Sequence, residues 1–161
     1  MRRSKACAGL VVLSLAAAVA AGCATETKRQ TKMGSGDVVA DRQRLMKLHG
    51  ALWTDIQNKA KANNIEGIEV SAEGLAVAAQ FIPVLFPEGS LTDKSKAKPE
   101  VWQKWPEFEA AAKKLQTESE KLRDTAKAKN AQQTQDIVKD FGRNTCGTCH
   151  TPFRVPPARS S

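Results

Sequence analysis

Apolar residues recur at helical spacing through most of this chain and nowhere alternate for the length of a strand. Leu45, Leu48, Leu52 and Ile56 step by three and four, and Met46, His49 and Trp53 form a second stripe beside them. Together they make one broad helix face, with Lys47, Asp55 and Lys59 outside it. The pattern predicts a first helix over about 37–60, N-capped by Asp37 and ended at Asn63-Asn64. A second helix is expected from Ser71, with Glu73 in its first turn, through Leu75, Ala78, Ala79 and Ile82 until Pro83 to Pro87. A third opens with Pro106, which at a first-turn position loses no hydrogen bond, and repeats Phe108, Ala112, Leu115, Leu122 and Ala126. The fourth runs from about Ala131 through Ile137, Val138 and Phe141 toward Cys146. Between Phe86 and Pro106 lies a long connection whose tryptophans, Trp102 and Trp105, read as packing plugs.

Four amphipathic helices, none apolar all round, bury their stripes only against one another. The expected fold is therefore all-α, an antiparallel up-down-up-down four-helix bundle. The long second connection is tolerable because loop-closure entropy grows only logarithmically with length. Composition agrees: aromatic residues are 5% of the 161, Tyr is absent, and the chain is rich in residues that lose little rotamer freedom in a helix. One globular domain fits this length, and four cysteines are too few for a disulfide-built scaffold.

The amino terminus has a different character. Arg2, Arg3 and Lys5 precede an apolar run over 6–22, the arrangement of an export signal, and that run is shorter than a membrane-spanning helix requires. It ends Ala20-Ala21-Gly22-Cys23, similar to the lipobox at which bacterial lipoproteins are cleaved and acylated on the cysteine. Plain cleavage after Ala18-Val19-Ala20 is the alternative. Cys23 would otherwise be an unpaired thiol in an oxidising compartment, which favours acylation. The expected organisation is a signal peptide over 1–22, a polar tether over 23–36, a helical domain over 37–155 and a short tail over 156–161. Removing the leader takes three basic residues from a chain of formal charge +8 and leaves +5. That excess predicts attraction to acidic proteins or anionic lipid surfaces that weakens with salt. No nucleic-acid partner is expected.

The chemistry concentrates in Cys146-Gly147-Thr148-Cys149-His150. Two thiols three residues apart followed by an imidazole are the attachment motif for haem c. At i and i+3 on a helix both sulfurs project from one face and reach two vinyl groups of one porphyrin, while His150 directs a nitrogen at the iron. Thioether bonds make retention of the cofactor irreversible, which suits an exported protein. Zinc would need two further ligands, and of the mature chain's residues only His49 and Cys23 remain to offer them. A thioredoxin-like pair would need a preceding strand. A plain disulfide would leave His150 without a purpose.

The motif closes the last helix instead of opening the chain, and the surrounding residues resemble the class II c-type cytochromes, the cytochrome c′ family. The resemblance rests on Arg42-Gln43-Arg44-Leu45-Met46-Lys47, Phe86-Pro87-Glu88-Gly89-Ser90, Pro99-Glu100-Val101-Trp102, Pro106-Glu107-Phe108, and the carboxy end from Cys146 through Phe153-Arg154. It implies one covalent haem per chain, held by Cys146 and Cys149 with His150 as proximal iron ligand. It also implies Arg42 and Gln43 near a propionate and Arg154 beside the histidine. For Arg42 the competing reading is a solvated surface charge. Pro152 is expected to stop or kink the last helix at Thr151.

The distal ligand stays open between a bound Met46 and a vacant sixth position blocked by an apolar side chain, since the family contains both. His49, one turn later, is a third candidate, against the plainer expectation of a partly exposed histidine without a role. These residues suggest a periplasmic one-electron carrier between redox proteins. The alternative is a high-spin haem protein that captures nitric oxide or carbon monoxide. Catalysis of the peroxidase kind is disfavoured because no distal His-Arg pair is evident. The amphipathic first helix leaves a homodimer possible.

Overall fold

The computed structural model describes residues 34–157. The leader and Cys23 lie outside them, as do most of the tether and residues 158–161 of the tail. The elements are α1 (Val38–Lys61), α2 (Ile68–Ala79), a short α3 (Glu100–Gln103), α4 (Trp105–Lys127), α5 (Ala131–Phe141) and α6 (Gly147–Phe153). A 3₁₀ turn at Pro83–Leu85 follows α2, and a π-helical stretch, Gly142–Cys146, joins α5 to α6. Four rods, α1, α2, α4 and the α5–α6 pair, make a four-helix bundle. The described residues contain no strand, only an isolated bridge between Ala97 and Arg154.

Local chemistry sets most of the boundaries. The Asp37 carboxylate accepts from the Val39 and Ala40 amides at 3.0 and 3.1 Å, so α1 starts at the predicted cap. Its end is marked by Asn63 in the left-handed region, φ 53°. Asn130 caps α5 through the Gln133 amide, and Pro106 occupies the first turn of α4. The second helix differs from expectation. It begins at Ile68, three residues before Ser71, because Ile68 is fully buried and holds that turn inside the core. Ser71 is a buried interior residue whose hydroxyl donates to Asp55 on α1 instead of capping α2.

The core runs through Ile56, Ile68, Leu75, Leu122 and Phe108, all essentially without exposure. Gly74 brings α2 close to α1, since a Cβ there would stand 3.1 Å from both Leu52 methyl groups. The inner stripe of α1 is not the leucine row. Leu48 is half exposed, and the stripe Val39, Arg42, Met46, His49, Trp53, Ile56 and Ala60 turns inward. That stripe is the predicted row Met46, His49 and Trp53 continued through Ile56, with Arg42 added, which a pattern based on apolar residues passes over. α6 also differs: it continues through Pro152 to Phe153 before the chain turns extended at Arg154. Loss of the Pro152 donor costs little within the last turn, where the helix is about to end.

The long connection is fastened at both sides. Lys98 N donates to Phe153 O at 2.9 Å and Val155 N to Lys96 O at 2.8 Å, joining it to the segment beyond α6. Trp102 Nε1 lies 3.1 Å from the carbonyls of Phe86 and Pro87, and Phe86 packs on Phe108 with ring centroids 4.8 Å apart. Both tryptophans are packing elements as expected, but they stand on helices, Trp102 in α3 and Trp105 at the start of α4, where it lies 5.5 Å from Phe108 between ring centroids. Among the described residues no helix is long and apolar enough to cross a membrane.

Candidate functional site

A cavity of about 570 Å³ opens between α1, α4, α6 and the long connection. Cys146, Cys149 and His150 line it from one side, and Met46 lines it from α1. Arg42, Gln43 and Arg154 border the same space, so every proposed binding residue within 34–157 meets there. Phe108, Leu75 and Leu115 supply the apolar depth.

The π-helical stretch delivers the thiols. Its backbone bond from Gly147 N–H to Gly142 O spans five residues, so one residue is inserted into the rod and all that follows is re-aimed relative to Phe141. Phe141 is itself fixed by stacking on Trp53, centroids 5.0 Å apart. Thr145 is buried, and its hydroxyl donates to Phe141 O at 2.5 Å, while the Thr148 hydroxyl donates to Thr145 O at 2.7 Å. The inward side of this stretch is therefore occupied by Thr145, and both cysteines are half-buried free thiols at the cavity wall.

Protonation follows from these surroundings. Burial, and then the neighbouring Cys146, push the Cys149 thiol up to about 11, so it is uncharged near neutral pH. His150 presents ring surface to the cavity, yet the protein around it lowers its pKa, with Arg154 and His49 adding to the effect. A neutral imidazole keeps a lone pair available for a metal.

Two residues of α1 behave unlike exposed polar groups. Arg42 is 5% exposed and serves as a staple: Nε donates to Leu85 O at 2.5 Å, Nη1 to Ser90 O at 3.1 Å, and Nη2 to the Ser90 hydroxyl. Its guanidinium also lies 4.1 Å from the Phe86 ring centroid. It is not a solvated surface charge. His49 is buried as well, 9% exposed, against the expectation of a partly exposed side chain. The rim is basic: Lys47, Lys96 and Arg154 are exposed along it, Gln43 joins them, and among the described residues no acidic side chain lines the cavity.

The family model described as Cytochrome C' matches residues 37–154. This chain belongs to the cytochrome c′ family. It is 36% identical over 84 residues to cytochrome c' of Pararhodospirillum photometricum, covering 52% of this chain and 66% of that protein. It is 28% identical over 100 residues to cytochrome c-556 of Agrobacterium tumefaciens (strain II Chrys), covering 62% and 80%. Among solved structures, a nitric oxide complex of a variant cytochrome c prime from Alcaligenes xylosoxidans superimposes with TM-score 0.67 at 22% identity, covering 76% of this chain and 96% of that one. Cytochrome c′ membership makes this a haem protein, and the cavity fits that group. Its volume is that of a cofactor pocket, roughly 300–1,000 Å³. Two free thiols and a neutral imidazole stand on one wall, the interior is apolar, and the acid-free basic rim suits propionates.

Sequence reasoning missed several members of this cytochrome c′ site. The π-helical turn was signalled only by Gly142 inside an otherwise helical pattern. Lys96 and Ala97 had no signal, since the bridge to Arg154 brings them to the cavity.

Proposed function

We propose that this cytochrome c′-family chain is an exported one-electron carrier with one haem c, bound by thioethers to Cys146 and Cys149. The observation that carries the reading is the single cavity onto which both thiols, His150 and Met46 open. Bound haem supplies the ferric–ferrous couple. The protein's part is to hold His150 as the proximal ligand, to offer the Met46 sulfur at the sixth position, and to keep water from the ring with Phe108, Leu75 and Leu115. Arg154 and Gln43, which line the cavity, would donate to propionate oxygens. Lys47, Lys96 and Arg154 give the mouth a positive field that favours an acidic redox partner. The compartment is the periplasm, with Cys23 acylated and the 23–36 stretch tethering the domain to a membrane.

A second reading is capture of a diatomic gas. It is favoured by the apolar depth of the cavity near Met46, and a relative of similar fold has been solved as a nitric oxide complex. Visible spectra of the purified protein, ferric and ferrous, with and without nitric oxide, separate the two. The carrier reading predicts a low-spin ferric protein with the weak far-red band of thioether ligation, slow to answer nitric oxide, and loss of that band in Met46→Leu. A high-spin spectrum that changes at once with the gas would transfer the function to gas capture. For the anchor, intact mass of the membrane fraction is expected to exceed that of the haem-bearing chain starting at Cys23 by a glyceryl group and acyl chains. The unmodified mass would remove the anchor.

A further inference from the structure

His49 carries an atom that nothing in the fold explains. It lies on the inner stripe of α1 at steps of four, three and four through Arg42, Met46, His49 and Trp53, all of which line the cavity. Its Nδ1 is 2.8 Å from Leu45 O, a carbonyl that can only accept, so the ring proton sits on Nδ1 and donates there. The other nitrogen, Nε2, is buried and has no hydrogen-bond partner among the described residues. A buried acceptor left unpaired is costly, on the order of 1–3 kcal/mol, and native structures keep few of them. A histidine that lines a cavity, with one nitrogen donating to a backbone carbonyl and the other buried and unpaired, has the hydrogen-bonding pattern of a metal-ligating imidazole whose ring has only to turn to expose that nitrogen.

We propose that His49 is a second donor to the iron's sixth position, one that binds ferric iron through Nε2 when Met46 is withdrawn. The inference rests on the haem reading above. Met46 and His49 are three residues apart, about 4.5 Å along the helix axis, so one helix presents both donors to one cavity. Their chemistry differs in a useful way. The thioether is soft and polarizable and suits the ferrous metal, whereas an imidazole nitrogen suits ferric iron as well. The pair keeps a sixth ligand on the ferric metal even when the thioether lets go, and so restricts open access of small molecules to it.

The test uses the full chain, exported and matured in a host that attaches haem, as wild type, Met46→Leu and the double variant Met46→Leu/His49→Leu. Alkaline pyridine spectra of each first establish covalent haem; its absence from the wild type would overturn the haem reading, and this inference with it. With haem present, low-temperature electron paramagnetic resonance reads the ferric spin state. The expected result is a low-spin ferric Met46→Leu with nitrogenous axial ligands and a high-spin double variant. A high-spin Met46→Leu, or a low-spin signal that persists in the double variant, overturns the inference while leaving the haem reading intact. Titration with free imidazole gives an independent measure should the double variant take up haem poorly. Met46→Leu is expected to bind imidazole roughly tenfold or more weakly than Met46→Leu/His49→Gln, because its position is already filled. Equal affinities count against His49.

Discussion

Replacing Cys146 and Cys149 together by serine is expected to reduce haem that survives denaturation from one per chain to none. The substitution changes two atoms at the cavity wall and leaves the helix and the thiol-sized volume nearly intact, so the fold should persist. What disappears is the nucleophilic sulfur, without which no thioether forms. Any haem remaining would be held by His150 and the apolar walls alone and would leave under acid or detergent. Intact-mass spectrometry and haem staining after denaturing electrophoresis measure this directly. Staining of the double variant at wild-type intensity would show that the group is attached elsewhere. A single Cys149→Ser change is expected to retain one bond through Cys146 and to shift the ferrous pyridine spectrum toward that of a haem with one unreacted vinyl.

Arg42→Met is expected to cost about 2–4 kcal/mol of stability, although it removes a charged residue from a helix that faces water on one side. The guanidinium donates to two backbone carbonyls and a hydroxyl of the long connection and packs on Phe86. Its removal leaves the Leu85 and Ser90 carbonyls, both on half-buried residues, without their donor, at about 1–1.5 kcal/mol each, the low end for a stranded acceptor, and forfeits the ring contact, about 0.5–1 kcal/mol. Burial lowers the arginine's pKa, but its ordinary value is so high that the charge persists through the working range. Arg42→Lys should recover little, because a single ammonium cannot reach three acceptors in a fork. Urea unfolding of the haem-loaded proteins gives the number, and for a chain of this size a loss of roughly 5–15 °C in melting temperature should accompany it. A change below about 0.5 kcal/mol would mean that water replaces the guanidinium without cost.

The sequence was most informative where one local rule decides the outcome. Asp37 and Pro106 each announce a helix start through a hydrogen bond made or not needed, and the structure places them so. Cys146, Cys149 and His150 were legible because thiol spacing and an adjacent imidazole are meaningful without tertiary context. Arg42 and His49 were not legible, because burial of a polar side chain depends on partners 40 or more residues away or on a cavity that no pattern encodes. The beginning of α2 was missed for a related reason: Ser71 looks like a cap, yet tertiary burial of Ile68 overrides that local preference. Pro152 shows the converse, a strong local breaker that matters little so close to the end of its helix.

The two backbone bonds that join Lys96 and Lys98 to Phe153 and Val155 connect positions more than fifty residues apart, immediately after the histidine of the attachment motif. They can form only once the final segment of the chain has been released and has come back against the middle of the molecule. This stitch thus ties the wall that carries Cys146, Cys149 and His150 to the long connection through main chain alone, so a displacement of either is passed to the other whatever side chains stand there.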